Sequence, residues 1–157
     1  MGPNRKSRPV SKQLVTPASM APPLGPHALG VRSGNLVFVS GTVGWRPDGS
    51  VPADFKEQCH QMYKNVEQVL LAAGSSLEHV LTTTTYLVNA SDYRALNEVR
   101  AQYFGKEPPA SAVVVVKELV RSDLLVEVEA VGELPTKSAK PTPGGRRSAR
   151  QMKRKRR

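Results

Sequence analysis

Ala112-Val113-Val114-Val115-Val116 is apolar at every position, without the alternation that marks a half-buried strand. The run is too short for a helix and has no turn residue inside it. It reads as a strand that must be covered on both faces. Whatever surrounds it has to supply two layers, and the rest of the chain can be searched for them.

Six further segments carry a period. Ala28–Arg32 and Leu36–Ser40 are strand candidates separated by the turn Ser33-Gly34-Asn35. Asp54, with Glu57 three residues on, has the arrangement of a capping box. From there Phe55, Cys59, Met62, Val66, Val69, Leu70 and Ala73 recur every three or four residues, which predicts a helix of about five turns stopped by Gly74. Leu81–Leu87, rich in β-branched Thr, is the next strand. Tyr93, Leu96, Val99, Arg100, Tyr103 and Phe104 predict a second helix after Ser91-Asp92 and before Gly105. Pro108-Pro109 forces an extended entry into the valine strand. The last strand, Leu124–Val131, turns Val126, Val128 and Ala130 to one side and Glu127 and Glu129 to the other.

The order is therefore ββαβαββ, an α+β class with a mixed sheet and two helices on one face. Two helices can shield only one side of such a sheet. The other side keeps apolar side chains from Val113 or Val114 and from Leu36–Val39. Soluble monomers avoid patches of that size, so the sheet is expected to be hidden by further copies of the chain in closed cyclic symmetry.

Charge is strongly segregated. Residues 1–20 carry four Lys or Arg and no acid, and residues 136–157 carry ten and no acid. With 23 basic and 13 acidic residues in all, residues 21–135 hold nine bases and thirteen acids. The body is thus slightly acidic, and the net charge of +10 comes from the ends. Residues 137–145 contain no large hydrophobic residue to offset ordering entropy. The expected organisation is a disordered basic extension at 1–20, one domain at 21–135 and a disordered basic tail at 136–157. Arg146, Arg147, Arg150, Lys153, Arg154, Lys155, Arg156 and Arg157 form a cationic cluster suited to nucleic-acid phosphates or to recognition by an import receptor. No aromatic stands among them for base stacking.

Cys59 is the only cysteine, which excludes an intramolecular disulfide or a cysteine-rich zinc site, and its place in the apolar stripe predicts a buried structural thiol. His60 and His79 have no acid or cysteine at ligand spacing, so no metal and no cofactor is expected. No apolar run approaches the roughly 20 residues of a membrane helix. An intracellular location fits, cytoplasmic or mitochondrial. The acid-free N-terminal segment has presequence composition, although Pro3, Pro9 and Pro17 interrupt it. The terminal basic cluster adds the nucleus.

Several phrases, in order, carry a resemblance. They are Gly25-Pro26-His27, Ser33 to Gly41 (SGNLVFVSG), Ala72 to Leu77 (AAGSSL), Asn97-Glu98-Val99 with Tyr103-Phe104, and Val126-Glu127-Val128-Glu129-Ala130. From about Gly25 to Leu134 the chain resembles the reactive-intermediate deaminase family, also called the YjgF family or labelled L-PSP endoribonuclease-like. The resemblance implies a chorismate-mutase-like fold and a homotrimer with small-molecule pockets between subunits. It also implies hydrolysis of 2-imino acids, the enamine/imine products of amino-acid dehydratases, to 2-keto acids and ammonia.

Site residues follow from the same resemblance. Glu127 takes the place of the family's water-positioning glutamate, a role suited to a general base. Gly41, with Ser40 beside it, matches a residue whose backbone holds the ligand. His27 stands where an aromatic residue usually follows Gly-Pro. The family's Pro-Ala-Arg motif, whose guanidinium grips the substrate carboxylate, reads Pro109-Ala110-Ser111 here. A hydroxyl supplies no charge. Losing such a contact costs about 2–5 kcal/mol, or roughly 30- to 4000-fold in affinity for an acid. Arg121, in the loop before the last strand, is a poor substitute. The sequence therefore suggests a divergent or inactive imine deaminase. The alternative is a structural or interaction protein of a ribonucleoprotein, holding RNA through its basic ends.

Overall fold

The computed structural model describes residues 11–20, 22–23 and 25–136. β1 (Lys12–Val15), β2 (Gly30–Ser33), β3 (Leu36–Val43), β4 (Val80–Leu87), β5 (Ala110–Val115) and β6 (Val126–Glu133) form one mixed sheet in the order β1-β2-β3-β6-β4-β5. Every pairing is antiparallel except β4 with β5. That parallel pair needs a crossover, which α2 (Tyr93–Phe104) supplies. α1 (Phe55–Ala72) connects β3 to β4.

The helix signals act as their chemistry suggests. Asp54 caps α1 by accepting from Glu57 N at 3.0 Å. Gly74, at φ +86°, takes the left-handed conformation that ends it. The apolar stripe of α1 lies on the sheet face formed by Val37, Val39, Val126, Val128 and Ala130, all buried. Cys59, Met62, Val69 and Leu70 are fully buried in this layer. Two polar residues of α1 are buried with their bonds satisfied. Gln58 donates to Pro52 O and Asp123 O and accepts from Leu125 N, fixing the loop that enters β6. Asn65 donates to Val43 O at 2.9 Å and Trp45 O at 2.8 Å, fixing the chain where it leaves β3.

Two expectations differ from what is found. Lys12–Val15, inside the segment read as a disordered extension, is a strand paired with β2, and Val15 belongs to the core. It was hidden by its basic neighbours and by Pro9 and Pro17. The valine run, expected to be covered on both faces, lies on the outer strand of the sheet. Val114 and Val115 are 43% and 53% exposed, and only Val113 packs on the core. The described residues do not cover that strand on both faces. On the side without helices, Leu14, Val31, Phe38 and Val131 form a row across β1, β2, β3 and β6.

Candidate functional site

β3 departs from regular pairing in its second half. Val39 pairs with Ala130 and Thr42 with Val128, so Ser40 and Gly41 together stand opposite the single residue Glu129. This is a β-bulge, a device that re-aims side chains next to binding sites. Thr42 Oγ1 closes it by donating to Ser40 O at 2.7 Å. Ser40 is spent on structure: its N–H donates to Leu29 O at 3.1 Å and its hydroxyl to Ala28 O at 2.6 Å. Those bonds hold the loop that carries His27.

Gly41 and Glu127 meet at the bulge. The Glu127 side chain leans over the Gly41 backbone so closely that a methyl group on Gly41 would overlap Glu127 Oε1. The glycine is required by this approach. Glu127 is half-buried, and among the described residues its carboxylate has no hydrogen-bond donor. Burial raises its pKa above the ordinary carboxyl value, and the charge of Glu129 adds to the rise. Such a group is a stronger base than a solvated carboxylate.

His27 is exposed at the rim. It lines a cleft of about 60 Å³ with Gly41, Thr42, Trp45 and Asn65, and a wider groove of about 550 Å³ with Lys12, Ser40 and Val31. His27, Ser40, Gly41 and Glu127 therefore belong to one neighbourhood, at the end of β3 and the start of β6.

Ser111 does not. It pairs with Thr83 of β4, whereas Glu127 pairs with Tyr86, three residues along the same strand. With two strand spacings between β6 and β5, the two backbones are about 14 Å apart. They also face opposite ways: Ser111 shares the helix side with buried Thr83, which donates to it at 3.3 Å, and Glu127 shares the open side.

The residue that sequence reasoning passed over is Arg100. It rises from α2 and donates through Nη1 to Ser111 Oγ at 2.6 Å and through Nη2 to Asn97 Oδ1 at 2.7 Å. A groove of about 420 Å³ opens beside it, lined by Leu87, Tyr93, Ser111, Val113 and Val115. In the sequence Arg100 was one more position of a helical stripe. Only the tertiary placement of α2 brings it to Ser111. Arg121 is engaged elsewhere, in a two-pronged pair with Asp123 and 5.9 Å from the centre of the Trp45 ring.

Cys59 is fully buried and far from use as a nucleophile, its thiol pushed up to about 12 by burial. Among the described residues no three His, Cys, Asp or Glu side chains converge as metal ligands, and no helix is long and apolar enough to cross a membrane. The basic cluster Arg146, Arg147, Arg150 and Lys153 to Arg157 lies outside the described residues.

Known proteins share both the sequence and the fold. The family model described as Endoribonuclease L-PSP matches residues 18–134. A RutC family protein of Pyrococcus horikoshii is 35% identical over 122 residues, which cover 76% of this chain and 96% of that one. The 3-aminoacrylate deaminase RutC of Acinetobacter baylyi is 32% identical over 125 residues, covering 78% and 98%. Among solved structures, Escherichia coli TdcF with bound serine superposes at a TM-score of 0.74 and 28% identity, covering 78% of this chain and 99% of that one.

Proposed function

Because the chain belongs to the reactive-intermediate deaminase family, whose model bears the name Endoribonuclease L-PSP, we propose that it hydrolyses a small imine or enamine to a carbonyl compound and ammonia. The observation that carries the reading is the Glu127 carboxylate, half-buried and drawn over Gly41 at the bulge of β3. Similarity to a 3-aminoacrylate deaminase and to a chloroplastic Reactive Intermediate Deaminase A of Arabidopsis thaliana supports the same chemistry.

The steps balance with one carboxyl group. An enamine first takes a proton at carbon and gives one up from nitrogen to become the imine. Water then adds to the imine carbon while Glu127 accepts its proton, and the Glu127 carboxylic acid so formed passes that proton to the nitrogen. The tetrahedral aminoalcohol then collapses: its hydroxyl proton travels by way of the Glu127 carboxylate to the amine, the C–N bond breaks as the C=O bond forms, and ammonia leaves. Gly41 offers backbone to the substrate, and the ring of His27 closes one side of the cleft.

The working unit in this reading is a closed homotrimer. Its support is the exposed apolar row on the open sheet face and the uncovered valines of β5. Ser111 stands too far from Glu127 within one chain to share a ligand of a few atoms. A neighbouring subunit brings its own Ser111 edge to the Glu127 cleft, so each pocket draws on two chains. Ser111 by itself provides no cation for an acid substrate.

The experiment is direct. Full-length protein is added to 2-iminopropanoate generated by an amino-acid dehydratase, and keto-acid release is compared with the spontaneous rate. Acceleration that Glu127→Ala removes is expected. An unchanged rate, or acceleration that survives Glu127→Ala, overturns the reading.

A further inference from the structure

We propose that Arg100 of α2 supplies the carboxylate-binding guanidinium of this pocket, with Ser111 as its anchor and as a second donor. The inference rests on the pocket reading above, in which the Ser111 edge faces a substrate.

The geometry has three parts. First, Nη1 of Arg100 is 2.6 Å from Ser111 Oγ and Nη2 is 2.7 Å from Asn97 Oδ1, so both ends of the fork are held by neutral acceptors. A guanidinium has five N–H groups, and two bonds leave three of them for a ligand. Second, its charge is uncompensated: the described ion pairs engage Arg46, Lys56, Arg94 and Arg121, and none engages Arg100. Third, it opens on a groove of about 420 Å³ whose other walls are the apolar faces of Leu87, Val113 and Val115 and the ring of Tyr93. A fixed fork of donors beside apolar walls matches a small carboxylic acid with a short aliphatic body.

Ser111 has a definite part. Its oxygen accepts from Arg100 and, at 3.3 Å, from Thr83 Oγ1, which leaves its own O–H free to donate to the same carboxylate. Tyr93, Asn97 and Arg100 lie at helical spacings of four and three on one face of α2. The cation therefore arrives from the helix and not from the strand. An arginine grown from position 111 would compete for the same groove, so a neutral, small residue there is what Arg100 needs.

The test uses the full-length protein and two probes, pyruvate and its uncharged amide, titrated by calorimetry or by NMR line shifts. Pyruvate should bind, with the amide about 30-fold weaker or worse. Arg100→Gln keeps a neutral side-chain N–H donor on the same face of α2 and removes the guanidinium charge with its two-pronged fork; it should lose at least the same factor for pyruvate and bind the amide about as the parent does. The double variant Arg100→Ala with Ser111→Arg should recover pyruvate binding, which separates a lost cation from a damaged fold. Pyruvate affinity unchanged in Arg100→Gln, no preference for pyruvate over the amide, or no pyruvate binding by the parent protein overturns the assignment. The two readings fail separately. Arg100-dependent pyruvate binding without imine hydrolysis removes the deaminase and keeps the acid site. Hydrolysis of 2-iminopropanoate with a KM indifferent to Arg100→Gln does the reverse.

Discussion

Gly41→Ala separates the demands of folding from those of the site. A methyl group at Gly41 stands 3.7 Å from Glu127 Cγ and 3.1 Å from Cδ, and overlaps only Oε1. The conflict is thus with the free end of a flexible side chain. Gly41 is absent from the glycines with positive φ, so alanine meets no backbone penalty there. Turning the carboxyl aside costs no more than an off-rotamer torsion, about 0.5–1.5 kcal/mol. The melting temperature should fall by a few degrees at most. The rate should suffer far more, because displacing a catalytic group by about 1 Å costs on the order of 100-fold. Pyruvate release from 2-iminopropanoate, coupled to lactate dehydrogenase and corrected for spontaneous hydrolysis, reads the rate, and thermal unfolding reads the fold. Adding Gly41→Ala to Glu127→Ala should cost no further stability, since the atoms nearest that methyl group all belong to Glu127. A Gly41→Ala protein that turns over like its parent, or one that melts tens of degrees lower, would refute the reasoning.

Five other outcomes are expected. Folding favours the protonated form of Glu127, so this residue subtracts stability as pH rises from the unfolded value of 4.5 through its higher folded value; Glu127→Gln should melt above the parent at pH 7 and level with it at pH 3. Over the same window hydrolysis should rise with pH as the carboxylate forms. Val114→Glu, which places a charge on the open face beside Tyr86, should convert a particle of three times 17.1 kDa to single chains in sedimentation, whereas a parent that sediments as one chain defeats the trimer. Cys59, buried and with its thiol pushed up to about 12, should resist a water-soluble disulfide reagent until the protein is unfolded. Removing residues 136–157 should weaken RNA binding and flatten its salt dependence, where eight phosphate contacts would give a log–log slope of about −5.6 on single strands; equal binding by the shortened chain removes that role for the tail.

What could be read from the sequence depended on whether the information was local. The stripe from Phe55 to Ala73 and its stop at Gly74 predict α1 almost to the residue, because capping, period and terminator all lie within the helix. The alternation of Val126 to Ala130 correctly separates core from open face. β1 was missed because four residues between prolines, in a basic setting, carry too little pattern to outweigh composition. The bulge at Ser40–Gly41 is a matter of register with β6, and register is not written in either strand alone. The motif around Ser111 showed that a guanidinium was absent from β5. That another stands 2.6 Å away, eleven positions upstream on a helix, depends on how α2 packs.

The two margins of the sheet differ in a way that limits how copies can add to one another. The β1 margin carries Lys12 and Gln13, both exposed, and the chain turns away through Pro17 soon after it. The β5 margin is longer, six residues against four, and ends in three valines. Extending the sheet from one molecule to the next, valine margin against lysine margin, would strip water from an ammonium group at every junction. Joining two valine margins instead leaves lysine at both outer ends and stops at a pair. The chain can keep a sticky strand for its own use because the opposite end of the sheet refuses to continue the ribbon, so endless stacking has no place to begin.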